Sequence, residues 1–331
     1  MVHTNNSGQA IVSICMITYN HELFIKDAIE GVLMQQTSFP KKLIIGEDCS
    51  SDNTRSICEE YQKRFPHIIE LLPSNRNIGM TANFIRTLQA CKGKYIAICE
   101  GDDYWNDPNK IQKQVDFLDK NEDYILCHHD AIVYEESGRG LTNDRIMNLD
   151  SEIDHTTEDL VALNRVSTLT VVFRNNFIKE YPDYFFSFIT ADWPLWIMLS
   201  KYGKLKYLPF IGSVYRVHNN SVTSIKRASN IITRRKNMIR FYNGYVYIFQ
   251  NLKSYFDGKY DIEFDKQINH FNDNIFLYFF SLRNYIAAKH LISKKKINWY
   301  SMNSTKDRFK YLTLKTLPTP IIKLLSTYDP G

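Results

Sequence analysis

Short apolar, β-branched runs alternate with amphipathic helical patterns along the first 130 residues. Residues 11–17, 42–45, 68–72 and 94–99 read as strands, and 22–36, 52–65, 81–91 and 108–120 as helices. Such a βαβ series, joined by right-handed crossovers, predicts an α/β fold with a mostly parallel central sheet and helices on both faces. Ligands of such sheets bind beyond the carboxyl ends of the strands. The polar residues gather there: Thr18, Tyr19 and Asn20 after the first strand, Glu47 and Asp48 after the second, residues 75–79 after the third, and Glu100, Gly101, Asp102 and Asp103 after the fourth. Four loops are therefore expected to face one crevice.

A further strand is expected over 124–134, followed by a polar, irregular stretch over 135–155 that reads as a mobile flap. An apolar strand over 168–173 leads into an aromatic stretch with Trp193 and Trp196, where residues 194–201 read as a helix. Two more strand-like runs, 204–208 and 211–217, end in Arg216-Val217-His218. Beyond Ser224 the pattern is helical, most clearly over 269–293. The chain thus divides into an α/β domain over 1–224 and a helical region over 225–331.

The run Tyr95-Ile96-Ala97-Ile98-Cys99 opens directly into Glu100-Gly101-Asp102-Asp103. Carboxylates packed so closely repel one another unless a proton or a hard cation lies between them, and Mg²⁺ or Mn²⁺ is the natural occupant. The plainer reading is that Asp102 and Asp103 cap a turn; Asp107, followed by Pro108, reads as a helix start. His128 and His129 are adjacent in a strand and should point to opposite faces, which argues against a metal pair. Trp105, Trp193 and Trp196 suit either a platform for a ligand ring or the core.

Composition adds bounds. At 44% hydrophobic residues, 331 residues suffice for a substantial core. Six cysteines without C-x-x-C spacing read as reduced core residues of a cytosolic protein. Residues 1–9 lack the pattern of a signal peptide, and no apolar run approaches the roughly 20 residues of a membrane span. The net charge of +5 conceals an asymmetry: residues 225–331 carry 19 Lys and Arg against 7 Asp and Glu, a net +12, which leaves the first 224 residues at −7. The basic, aromatic tail fits an anionic lipid surface, nucleic acid, or simply a solvated helical face.

Six segments, 12–20, 47–54, 77–83, 100–102, 191–196 and 215–218, taken in that order, resemble the family-2 glycosyltransferases. Val12 through Asn20 looks like that family's first strand and nucleotide loop, and Glu47-Asp48-Cys49-Ser50-Ser51-Asp52-Asn53-Thr54 resembles its acidic segment. Asn77-x-Gly79 with Asn83 echoes a donor-side motif, and Glu100-Gly101-Asp102 stands at the D-x-D position. Ala191-Asp192-Trp193-Pro194-Leu195-Trp196 is similar to the catalytic-base region, and Tyr215-Arg216-Val217-His218 to a late donor-side motif. The resemblance covers about residues 10–224. Two positions depart from it: Glu100 replaces an Asp, and Cys49 replaces a Gly, so that turn must manage without glycine's easy access to positive φ.

The resemblance implies a GT-A fold and an inverting transfer of sugar from a nucleoside diphosphate, UDP favoured, to a hydroxyl of a glycan or lipid-linked acceptor in bacterial surface-polysaccharide synthesis. It implies Mn²⁺ or Mg²⁺ held by Asp102 and His218, and Asp192 as general base. Donor contacts are implied for Thr18, Tyr19, Asn20, Glu22, Asp48, Arg76, Asn77, Asn83, Glu100, Gly101, Asp103 and Arg216. A cytoplasmic enzyme at the inner face of the membrane, touching lipid through its tail, follows from the same reading. A sugar nucleotidyltransferase is the alternative enzyme, but Thr18-Tyr19-Asn20-His21-Glu22 lacks the glycine-rich phosphate loop it needs. A nucleic-acid-binding protein leaves residues 100–103 without a role, so no nucleic-acid partner is expected.

Overall fold

A computed structural model describes residues 10–135, 145–146, 154–178, 180–218, 230–294, 297 and 304–327. The chain forms two compact units, Met1–His218 and Asn219–Gly331. The boundary expected between residues 224 and 225 lies outside the described residues, as does most of the stretch read as a flap.

The first unit is built on a ten-stranded sheet. Its parallel half comprises β1 (Val12–Thr18), β2 (Lys41–Glu47), β3 (Ile69–Pro73) and β4 (Tyr95–Ile98), in the order β3-β2-β1-β4. All seven residues of β1 are buried, as befits a central strand covered on both faces. The helices α1 (Ile25–Leu33), α2 (Thr54–Arg64) and α3 (Met80–Ala90) connect these strands. Helix α1 buries Ile25, Ala28, Ile29 and Val32, the spacing of one helical face. Its regular span begins after residue 24 instead of at the expected 22, because residues 20–22 are tied by hydrogen bonds to the loop after β2.

The mixed half adds β5 (Tyr104–Trp105), α4 (Lys110–Lys120), β6 (Tyr124–Glu135), β7 (Arg145–Ile146), β8 (Asp154–His155), α5 (Thr157–Ala162), β9 (Val172–Arg174), α6 (Asp192–Leu199) and β10 (Lys204–Val217). Strand β9 runs antiparallel between β4 and β6, and β10 lies parallel to β6. The strand expected over 168–173 begins instead with a 3₁₀ turn, Thr168–Thr170, in which the Leu169 and Thr170 carbonyls accept from the side chains of Trp105 and Gln114. The two runs expected over 204–208 and 211–217 form one strand with register shifts between Leu208 and Ser213. Pro209 has no amide hydrogen to give a ladder, so a bulge there accommodates it. Trp105, Trp193 and Trp196 are buried, which makes them core and not a platform. The cysteines are free, and five of the six are buried.

The second unit is helical: α7 (Ile231–Tyr255), α8 (Asp261–Ser281), α9 (Tyr285–Ser293), α10 (Thr305–Thr316) and α11 (Thr319–Thr327). Phe276, Ala288, Leu314 and Ile322 share a buried cluster. The helix expected over 269–293 breaks at residues 282–284, where Arg283 takes φ 57° and the Asn284 side chain accepts the Ala287 amide to start α9. Among the described residues no helix is long and apolar enough to cross a membrane.

Candidate active site

Strands β2 and β4 flank β1 on opposite sides, so the chain leaves the centre of the sheet in two directions. The carboxyl ends of β1 and β4 are stitched together there: the Cys99 amide donates to Cys15 O at 3.1 Å, and the Gly101 amide to Ile17 O at 2.9 Å. Residues 100–103 therefore turn directly over the end of β1. Gly101 permits this closeness, since a Cβ there would lie 2.7 Å from Thr18 Oγ1 and 2.8 Å from Thr18 Cβ.

Asp102 projects toward two imidazoles. Its Oδ2 lies 3.2 Å from His218 Nε2, at the exit of β10, and 3.9 Å from His21 Nε2, in the loop after β1. One ligand atom from each of the three residues falls within 4.8 Å of the others. Burial works against the Asp102 carboxylate, but the hydrogen bond with His218 and the neighbouring imidazoles outweigh it and hold its pKa below the ordinary value. Burial lowers the His21 pKa, with Asp102 opposing and His218 reinforcing the shift. Two imidazoles and a carboxylate suit a divalent ion of borderline softness. His21 Nδ1 and Thr18 Oγ1 are buried there without a hydrogen-bond partner, so the chain itself leaves polar atoms unsatisfied at this point.

The other two acids of the turn play different parts. Asp103 is 1% exposed, and its Oδ1 accepts the Arg216 amide at 2.8 Å while Oδ2 has no partner. Burial, then the charges of Asp102 and Glu100, push its pKa well above the usual carboxylate range. Glu100 is likewise raised by burial and by the charges of Asp102 and Asp192. The Asp192 carboxylate accepts hydrogen bonds from Thr168 Oγ1, at 3.3 Å, and from Thr190 Oγ1. It is the first residue of α6, one position past the N-cap Ala191.

The loop after β1 is laced to the one after β2. The amides of Asn20, His21 and Glu22 donate to Ser50 Oγ, Thr54 Oγ1 and Asp52 Oδ2, and Glu22 Oε2 accepts the Asn53 amide at 3.0 Å. Cys49 adopts φ 61°, so the turn keeps the left-handed conformation in a residue that carries a Cβ. Tyr19 is 43% exposed.

Several of the expected donor contacts are engaged within the protein. Asp48 is buried, and its two carboxylate oxygens accept the amides of Ile78 and Gly79, which fixes the loop carrying Arg76 and Asn77. Asn77 Oδ1 accepts the Gly79 amide at 3.0 Å, and Arg76 is exposed. Asn83 lies inside the sheet–helix joint, donating to Gly46 O at 2.8 Å and accepting from Arg86. The Arg216 guanidinium pairs with Asp27 and lies 4.4 Å over the Tyr104 ring. His21 was absent from the expected ligands; its only signal in the sequence was its position two residues past Tyr19 at a strand end.

The family model described as Glycosyl transferase family 2 matches residues 13–179. Mycobacterium tuberculosis Rv1520 is 36% identical over 212 residues, which are 64% of this chain and 60% of that protein. The dTDP-rhamnosyl transferase RfbG of Shigella flexneri is 35% identical over 129 residues, 38% of this chain and 43% of that one. The chain thus spans about three fifths of the length of the first of these relatives. Among solved structures, the mannosyltransferase PcManGT of Pyrobaculum calidifontis, in complex with GDP-Man and Mn²⁺, aligns with TM-score 0.55 and 13% identity over 96% of this chain and 86% of its own. That likeness is one of fold, and the fold is GT-A-like.

Proposed function

Because this chain belongs to glycosyl transferase family 2, we propose that it transfers a sugar from a nucleoside diphosphate, with UDP favoured, to a hydroxyl of a glycan or lipid-linked acceptor in bacterial surface-polysaccharide synthesis, with inversion at the anomeric carbon. The observation that carries this reading is the Asp102 carboxylate just past the carboxyl end of β4, paired with His218 at 3.2 Å and within ligand range of His21.

Transfer leaves a diphosphate with growing charge on one side of the sugar and loses a proton on the other. Asp102 and His218 would hold a divalent ion, Mn²⁺ or Mg²⁺, which supplies Lewis-acid neutralisation of the diphosphate when bound. Asp192 takes the proton of the acceptor hydroxyl as that oxygen forms its bond to the anomeric carbon, and the bond from that carbon to the diphosphate oxygen breaks. A single base on the side opposite the leaving group gives inversion. Thr168 and Thr190 orient the carboxylate. Tyr19 offers a stacking face for the base. Arg216, already beside the Asp102 carbonyl at 3.3 Å, can turn a guanidinium N–H to the phosphates.

The reading places the enzyme on the cytoplasmic face of the membrane. The net +12 of residues 225–331 and the exposed Ile262 and Phe309 support a peripheral lipid contact. Sedimentation with anionic vesicles at low salt tests that part by itself. The chemistry is tested by incubating UDP-, GDP- and dTDP-sugars with Mn²⁺ and candidate acceptors and following nucleoside diphosphate release. One donor should be turned over, and Asp192→Asn should lower kcat by about 10²–10⁴ while leaving donor binding intact. Full activity of Asp192→Asn would remove the assigned base.

A further inference from the structure

The proposed donor site assigns Asp102 and His218 to the ion, and the loop after β1 adds a third group. His21 and His218 both aim Nε2 at the same Asp102 oxygen, from 3.9 Å and 3.2 Å, with ring planes at 85° and centroids 6.1 Å apart. The approach of His21 is fixed by main-chain bonds: its amide donates to Thr54 Oγ1 at 2.8 Å, and its carbonyl accepts the Phe24 and Ile25 amides. Gly101 leaves the room, since a Cβ there would lie 3.1 Å from His21 Nδ1. Among the described residues this ring, with one nitrogen buried and unpartnered, is the only further group that lies within ligand range of Asp102 and His218 together.

We propose that His21 is a ligand of the divalent ion, so that the protein presents an imidazole–carboxylate–imidazole face instead of a carboxylate-dominated one. This rests on the reading of Asp102 and His218 as the ion's holders. The consequence is a choice of metal. Mg²⁺ takes oxygen ligands and gains little from imidazole, whereas Mn²⁺, Co²⁺ and Zn²⁺ accept it readily. The protein should therefore bind Mn²⁺ at least about tenfold more tightly than Mg²⁺ before any nucleotide is added, a preference that two nitrogen donors supply.

Titration of the full-length protein with Mn²⁺ alone, read by the electron paramagnetic resonance signal of free Mn²⁺, tests the assignment. His21→Asn should weaken Mn²⁺ at least about tenfold and bring the Mn²⁺ and Mg²⁺ affinities together. Pulsed resonance of Mn²⁺ on the wild type should show nitrogen couplings from two imidazoles, a readout that needs no variant, and from one in His21→Asn. Unchanged Mn²⁺ affinity in a folded His21→Asn, or coupling to a single imidazole in the wild type, overturns the inference. So does a variant that binds Mn²⁺ normally and loses only UDP affinity, which would make His21 a phosphate donor. If Asp102→Asn also binds Mn²⁺ like the wild type, the fault lies with the donor-site reading itself, not with His21 alone.

Discussion

The main-chain nitrogen of Arg216 donates a 2.8 Å hydrogen bond to the buried Oδ1 of Asp103, and thereby clamps the exit of β10 to the turn after β4. This bond sets His218, two residues on, against Asp102 across a sequence separation of 116. Asp103 thus ties together the two segments that carry Asp102 and His218.

Replacing Asp103 by asparagine tests that role through pH. The folded pKa of Asp103 is raised by burial and by its acidic neighbours, so the folded state keeps the proton longer than the unfolded state does. Its contribution is neutral at pH values below the ordinary carboxylate pKa, and stability is lost as pH climbs from there toward the raised value. The amide can still accept the Arg216 bond and carries no charge. In EDTA, calorimetry should find Asp103→Asn gaining on the wild type from pH 5 to pH 8, by about 3 °C in Tm for each kcal/mol relieved. Parallel curves would contradict the assigned burial.

Gly101→Ala should damage the site without unfolding the sheet. The added Cβ meets Thr18 Oγ1 at 2.7 Å, and the strain of moving either strand end is about 1–3 kcal/mol. A modest loss of Tm together with a larger loss of Mn²⁺ affinity is expected from paired melting and titration curves.

Thr168 gives its hydroxyl to Asp192 from a turn that is itself held by Trp105 Nε1 on Leu169 O at 2.9 Å and by Gln114 Nε2 on Thr170 O at 2.9 Å. Thr168→Val should lower kcat several-fold with little change in donor KM, and Thr168→Ser should restore it. Asp192→Asn should lower kcat by about 10²–10⁴, the usual contribution of a positioned base.

Acid should destabilise the first unit through His128. Both of its ring nitrogens are buried without a partner, and burial, then the charge of His155, lowers its pKa to about 3. With the folded pKa below the unfolded one, this stability is fully present above about pH 6.5 and is lost as pH falls. For His128 alone the loss is about 2 kcal/mol by pH 5, from 1.36 kcal/mol per pH unit. Denaturant titrations of the wild type and His128→Phe should agree at pH 8 and diverge in that sense at pH 5.

Strands β1, β2 and β4 were legible because each buries a short apolar run, whereas β3 buries only Ile69 of its five residues. The order of motifs carried Asp102 and His218 as a pair. What escaped were relationships set by neighbours in space. Asn83 looks like a donor contact along the chain, yet its amide is enclosed between Gly46 and Arg86. His21 reads as one more polar loop residue until β4 brings Asp102 to it. The break of the long C-terminal helix turns on Arg283 in a left-handed conformation, which no local residue type announces. In the 3₁₀ turn before β9, Trp105 and Gln114, distant in sequence, take the Leu169 and Thr170 carbonyls.

The most direct measurement is calorimetric titration of the wild type and Asp102→Asn with UDP, GDP, dTDP and CMP, each with and without Mn²⁺. One nucleoside diphosphate should bind the wild type in a Mn²⁺-dependent manner, and the dependence on Mn²⁺ should vanish in a folded Asp102→Asn. Binding of none of the four, or Mn²⁺-dependent binding that survives in Asp102→Asn, would contradict a nucleotide-bound ion held at Asp102.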